Sequence, residues 1–335
     1  MKKALLLSIC SWLITSPVQA ADFYDGKTIT IIVGFTPGGT FDQIARFYAR
    51  NLPKFIPGRP NIVVQNMPGA GSLVAAVHLG NVANKDGTVL GVVGGGTVLE
   101  PILGNAQARY DPRRFTWLGG LSRDTFMCTT WHTAGINTMD AAKKKTVVVG
   151  STGTGSRTMT FPTALNQLIG TQFKIVTGYP GGNELTMALE RGETEGYCGW
   201  AISSIRQRSP AWLKDNKLRF LAQFALKKDP DFPDVPLAMD LPPTADGKRA
   251  VEFISSDAVI AWPLMAPPGL PETQVQILRK AFDTMLQDKT VLADAAKEGL
   301  AVDPVPGSDL AAVVERLYET PASVLEIVKA INLAR

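Results

Sequence analysis

The chain has 335 residues, 45% of them hydrophobic and 19% charged, with a formal charge of +4. That length suits one large domain or two ordinary ones, and the composition is that of a folded globular protein, not a disordered one. The charge is small, and no basic run exceeds Lys143–Lys145, which reads as a solvated helix end, so nucleic-acid binding has little electrostatic support.

In chain order, Lys2 and Lys3 precede the apolar stretch ALLLSICSWLI and the small-residue ending TSPVQA. This is the pattern of a secretory signal peptide over residues 1–20, cut after Ala20. The apolar part is short for a membrane anchor, and Cys10 sits mid-run behind bulky Ile9, unlike a lipoprotein cysteine. Cleavage removes two lysines and no acids, leaving +2. No later stretch is long and apolar enough to span a bilayer, so the mature protein is read as soluble and exported. Export leaves Cys128 and Cys198 where disulfides persist. The pair is compatible with one bridge or with two buried thiols, and spacing alone does not decide.

Short apolar runs then alternate with helical patterns. ITIIVG leads into an amphipathic stretch from Phe41 to Leu52, NIVVQN into SLVAAVHLGNVA, and TVLGVVG follows. The middle repeats the scheme: TVVVG before a helix at Thr158–Ile169, FKIVTG before Glu184–Glu190, then EGYCGW and LRFLAQFA as strands. Residues 227–247 are rich in Pro and Asp and read as loop. AVIAWPLMAP reads as a strand, followed by TQVQILRKAFDTMLQ, VLADAAKEG and DLAAVVERLYETPASVLEIVKAINLA as a helical tail. Strand–helix alternation predicts α/β architecture with parallel sheets. Two such units in series, with a closing strand and helices left over, predict a discontinuous first domain (21–126 plus 258–335) and an inserted second one (127–257). DTFMCTTW and AVIAWPLMAP are the crossings between them.

Four corners share one grammar of strand, glycine turn and helix start: FTPGGTFD, NMPGAGSL, GSTGTGSRT and GYPGGNEL. Glycine admits positive φ and close approach. The helix that follows begins with unpaired N–H groups and partial positive charge, so each corner is a main-chain anion cradle. In open α/β sheets ligands sit beyond the carboxyl ends of the strands, where these corners fall. Nucleotide chemistry is disfavoured: GSTGTGSRT has Ser156 where a phosphate loop needs lysine, and GVVGGGTVLEP lacks dinucleotide spacing. No G-x-S-x-G elbow occurs, the two histidines match no triad, and no cluster suggests a metal. His78 reads as a packed helix residue and His132 as a surface one.

Together ITIIVGFTPGGTFDQIAR, VVQNMPGAGS, KDGTVLG, GSTGTGS and YPGG…LERGETEG resemble the solute-binding receptors of tripartite tricarboxylate transporters, the Bug receptors. The resemblance runs from about Lys27 to the C-terminal helices. It implies a two-lobed periplasmic binding fold with the two crossing strands as hinge, no catalysis and no cofactor. It also implies a small organic acid as ligand and integral-membrane permease subunits as partners, the receptor being a monomer. Carried over, the first loop (Phe35, Thr36, Pro37, Gly38, Gly39, Thr40, Asp42) is the main carboxylate grip, with Asp42 serving the helix start rather than touching the anion. Ala70, Gly71 and Ser72 line the same lobe. Ser151, Thr152, Gly155 and Ser156, with Pro180, Gly181 and Gly182, face them from the other.

Two positions depart from the family pattern. Arg157 follows the serine loop and is read as a partner for a second carboxylate, bidentate and always charged, or else as a surface residue. Trp200 replaces a short polar residue and, with Tyr179, Phe35 and Trp262, forms an aromatic wall for a di- or aromatic carboxylate. A ligand sensor for a membrane kinase and an exported carboxylate-acting enzyme are the alternative readings.

Overall fold

Apolar and β-branched runs become the strands of two sheets in a computed structural model that describes residues 23–333. The expected signal peptide, with Cys10, lies outside the described residues. Strands β1 (Thr28–Val33), β2 (Asn61–Asn66) and β3 (Val89–Val92) are parallel, β1 in the middle. Helices α1 (Thr40–Asn51) and α2 (Leu73–Asn81) connect them, α1 burying Ile44, Ala45, Phe47 and Tyr48 on one face. After β4 (Thr116–Gly120) the chain leaves this sheet, and β5 (Phe126–Trp131) opens the second.

The second unit continues through α3 (Met139–Lys144), β6 (Val147–Gly150), α4 (Arg157–Ile169), β7 (Phe173–Val176) and α5 (Gly182–Glu190). It is completed by β8 (Gly196–Ala201), α6 (Ile202–Arg208), α7 (Pro210–Lys214), β9 (Leu218–Phe224) and α8 (Ala245–Ser255). The chain then returns with β10 (Pro263–Ala266), α9 (Glu272–Met285), α10 (Lys289–Lys297), β11 (Val305–Pro306), α11 (Gly307–Tyr318) and α12 (Ala322–Leu333).

The first sheet has the order β11-β4-β10-β3-β1-β2 and the second β7-β6-β8-β5-β9. Each contains three parallel strands with the first in the middle (β2-β1-β3 and β7-β6-β8), then one antiparallel strand on a segment that has just crossed from the other unit (β10 and β5). The repeated corners of the sequence are thus the same two positions of one plan used twice.

The crossings differ from the expectation of two strands. One is the segment 121–125. The other is a 3₁₀ helix, Ser256–Ile260, with β10 starting only at Pro263. Asp257 and Ile260 turn their carbonyls to the Arg157 guanidinium, which donates at 2.8 and 3.4 Å, and a strand would have spent them on a sheet neighbour. A third passage follows α11, which packs on β4, because α12 lies against α4 and α8 beside the second sheet. The expected loop over 227–247 gives way at its end to helix α8. Thr244 caps it by accepting from the Gly247 N–H, and Ala250, Val251, Phe253 and Ile254 form its buried stripe.

Candidate functional site

Between the sheets lies a narrow, partly open cleft. Its rim is made by the segments that follow β1, β3 and β6, and by β8 itself. Helices α1, α4 and α5 all begin at it, at Gly39, Ser156 and Gly181, and none has a side-chain cap. Thr138, Thr244 and Asp288 cap α3, α8 and α10, while α2, α6, α7, α9 and α11 also lack a side-chain cap, so it is the convergence of α1, α4 and α5 on one cleft that sets them apart. An uncapped helix start leaves N–H groups and partial positive charge for an external anion.

The walls are aromatic. Phe35 stacks on Phe41 at 4.4 Å, and Phe41 meets Trp262 edge-on at 4.8 Å. Opposite them Trp200 stacks on Tyr197 at 4.8 Å. Phe126 closes the inner end, with the Arg157 guanidinium 3.9 Å over its ring.

Of the residues expected from the sequence, Phe35, Gly39, Thr40, Gly71, Thr152, Gly155, Ser156, Arg157, Gly182, Trp200 and Trp262 line this cleft. Several others serve its framework. Asp42 is buried and accepts from the Gly38 N–H at 2.8 Å, from Arg46 at 2.8 and 3.1 Å and from Asn66 at 3.0 Å. Burial alone would raise its pKa, but these donors together hold the carboxyl below its ordinary range. Gly38 therefore gives its N–H to Asp42, not to an anion. Thr36 Oγ1 donates to Glu184 at 3.1 Å, and the Pro37 carbonyl accepts from Asn183 at 3.2 Å. Ser72 receives the Gly94 N–H at 3.2 Å, and Ser151 those of Gly153 and the Thr158 hydroxyl at 3.1 Å. Ala70, Pro180 and Gly181 flank the cleft, and Tyr179 packs beside Leu185 and Gly150 rather than on the wall.

Two of the glycine corners are spent on each other. Gly71 donates to the Thr152 carbonyl at 2.8 Å, and Gly155 to the Ala70 carbonyl at 3.0 Å. These main-chain bonds join the two lobes.

Arg157, expected at the surface or on the ligand, is neither free nor exposed. Its Nε stands 2.8 Å from Asp257 Oδ2, and both side chains are buried, at 6% and 1% exposure. Burial raises the Asp257 pKa, opposed by the Arg157 charge. Arg157 therefore joins α4 to the 3₁₀ crossing through Nε and one terminal nitrogen, its charge already matched to Asp257. Asp124, in the other crossing, accepts from Ser203, from Trp262 Nε1 at 3.0 Å and from the Thr125 N–H at 2.9 Å. Burial raises its pKa against those donors, and they occupy both its oxygens.

Sequence reasoning missed Phe41, Phe126, Thr158, Thr186, Tyr197, Ser204 and Arg208, which also line the cleft. Phe41 and Thr158 were within reach as neighbours of named corners. Thr186 lies one turn into α5, and no local motif marks Phe126, Tyr197, Ser204 and Arg208, which the antiparallel register of β5 and β8 and the packing of α6 bring in. Cys128 and Cys198 face each other in the β5–β8 register and are joined as a disulfide. His78 is half-buried on α2 and His132 is exposed. Among the described residues no group of three or more His, Cys, Asp or Glu could hold a metal ion, and no helix is long and apolar enough to cross a membrane.

Two α/β lobes joined by crossing segments around a cleft define the architecture of the periplasmic binding proteins. Solved structures of that class agree: BugD, a periplasmic binding protein, has a TM-score of 0.71 over 93% of this chain and 98% of its own, at 19% identity. MatC from Rhodopseudomonas palustris, with bound malate, has a TM-score of 0.70 over 90% of this chain and 99% of its own, at 22% identity. No family model matches the chain. A curated relative, the UPF0065 protein in the gbd 5′ region of Cupriavidus necator, is 27% identical over 277 residues, 79% of this chain and 77% of that one. The structural neighbours are Bug- and TctC-type periplasmic binding proteins, the group that the Pro-Gly-Gly and Pro-Gly-Ala-Gly motifs resemble.

Proposed function

We propose that this protein is an exported receptor that closes over a small organic acid and delivers it to the integral-membrane permease subunits of a tripartite carboxylate transporter. It works as a monomer in the periplasm and carries out no chemistry. Of the described residues, those up to the crossing at 121–125 and those after the crossing at 256–260 make one lobe and the stretch between makes the other, close to the expected division at 126/127 and 257/258, with the last helix lying across the second. The observation that carries the reading is the set of uncapped helix starts at Gly39, Ser156 and Gly181, reaching one cleft from both lobes. Malate bound to MatC lends support, as a carboxylate held by a protein of the same fold.

Gly39 and Thr40 offer main-chain N–H groups to the carboxylate, and the aromatic walls take the apolar body of the acid. The ligand shifts an open–closed equilibrium by binding the closed form better. The test is a thermal-shift screen of ligand-stripped mature protein against mono-, di- and tricarboxylates, aliphatic and aromatic, with amino acids and nucleotides as controls. A rise with one class of acid is expected through mass action. A flat response to every acid, or turnover of one, overturns the reading.

A further inference from the structure

Arg208 ends α6, and its side chain reaches the rim of the cleft from the second lobe. There it donates to the Gly38 carbonyl of the first lobe and to Asn183 Oδ1 in the first turn of α5. Both acceptors are neutral. Among the described residues no carboxylate pairs with this guanidinium, whereas Arg157, the other arginine of the cleft, is matched to buried Asp257. Glu184 is nearby and accepts from Thr36; its charge favours the guanidinium without forming an ion pair with it.

Burial in the wall draws the Arg208 pKa below its ordinary range, with Tyr197 and Glu184 opposing. A half-buried cation whose hydrogen-bond partners are both neutral, with a carboxylate near it but not paired to it, is only partly compensated. A guanidinium has five donors in a fork shaped for a carboxylate, and two contacts leave part of that fork open. Gly38 directly precedes Gly39 and Thr40, so the charge stands beside the uncapped start of α1.

We propose that Arg208 is the charged anchor of the cleft: it takes the ligand carboxylate from the second lobe while the α1 N–H groups hold it from the first. The inference rests on the carboxylate-receptor reading above and adds a side chain to a grip otherwise made of main chain. The anchor also predicts selectivity by charge, since a neutral ligand of the same shape would leave the guanidinium without a carboxylate paired to it.

The experiment measures the affinity of full-length mature protein for adipate, malate and benzoate by calorimetry in the wild type, Arg208→Lys and Arg208→Gln. Gln keeps an amide donor for the Gly38 carbonyl but no charge; Lys keeps the charge without the fork. The Gln variant should lose roughly tenfold or more in affinity for whichever acid binds, and the Lys variant distinctly less. Equal losses in the two variants would make Arg208 a lobe-to-lobe clasp only and overturn the inference, as would no loss in either. If no acid binds the wild type, the receptor reading itself has failed, a result the variants are not needed to see.

Discussion

The Gly71 N–H of one lobe donates to the Thr152 carbonyl of the other at 2.8 Å. Gly71 has φ +65°, and a Cβ there would lie 2.6 Å from the Ser156 nitrogen, across the interface. A side chain at this position strains the turn and pushes the lobes apart. Gly71→Ala should therefore destabilise the closed form by about 1–3 kcal/mol and weaken ligand binding roughly ten- to hundredfold. Calorimetric affinity with scattering in the presence of ligand checks this. Unchanged affinity would mean that the two loops do not meet in the bound form.

Removing Arg157 leaves the Asp257 carboxylate buried without a cation. Arg157→Met should cost about 3–5 kcal/mol of stability, as for other broken buried pairs, read by denaturant unfolding. A variant as stable as the wild type would show that the pair is dispensable to the hinge.

Asp42 gives a pH dependence with a definite sign. Its folded pKa is depressed, so its contribution is complete above the unfolded carboxylate value of about 3.9 and is lost as pH falls through the lower folded value. Asp42→Asn should melt below the wild type at neutral pH, and the gap should close only below about pH 4. Melting temperatures from neutral to acid pH test this. A gap that stays constant assigns the effect to shape, not charge.

Trp200 and Trp262 both line the cleft and are nearly buried, at 4% and 3% exposure. A carboxylate with an apolar body should change tryptophan emission on binding, and the change should shrink in Trp200→Phe and in Trp262→Phe. A signal indifferent to both substitutions would place the ligand elsewhere.

Cys128 and Cys198 are wholly buried. Thiol labelling of denatured mature protein should find no free cysteine until reductant is added. Protein refolded in the reduced state should be less stable by about 2–4 kcal/mol. Labelling without reductant would refute the bridge.

The α/β plan was legible because strand and helix periods alternate cleanly: α1 and α4 begin one residue from where their patterns place them. Helix α8 escapes that reading: Thr244 and the stripe at Ala250, Val251, Phe253 and Ile254 are an ordinary cap and face, but the preceding Pro-rich stretch hides them. The fate of the corners was not. That Gly71 and Gly155 bond across the lobes, not to a ligand, depends on backbones far apart in sequence meeting in space. Arg157 and Arg208 are equal as letters. Only the burial of Asp257 beside one and neutral carbonyls beside the other separates them.

Helix α12, lying on α4 and α8 after α11 has packed on β4, ties the lobes a third time. Two links set side by side permit both a jaw-like swing and a twist, and a strap fixed away from them opposes the twist. The motion that remains has one axis. A ligand of the cleft then meets the same two walls, that of Phe35 and Trp262 and that of Trp200 and Tyr197, brought together along one path.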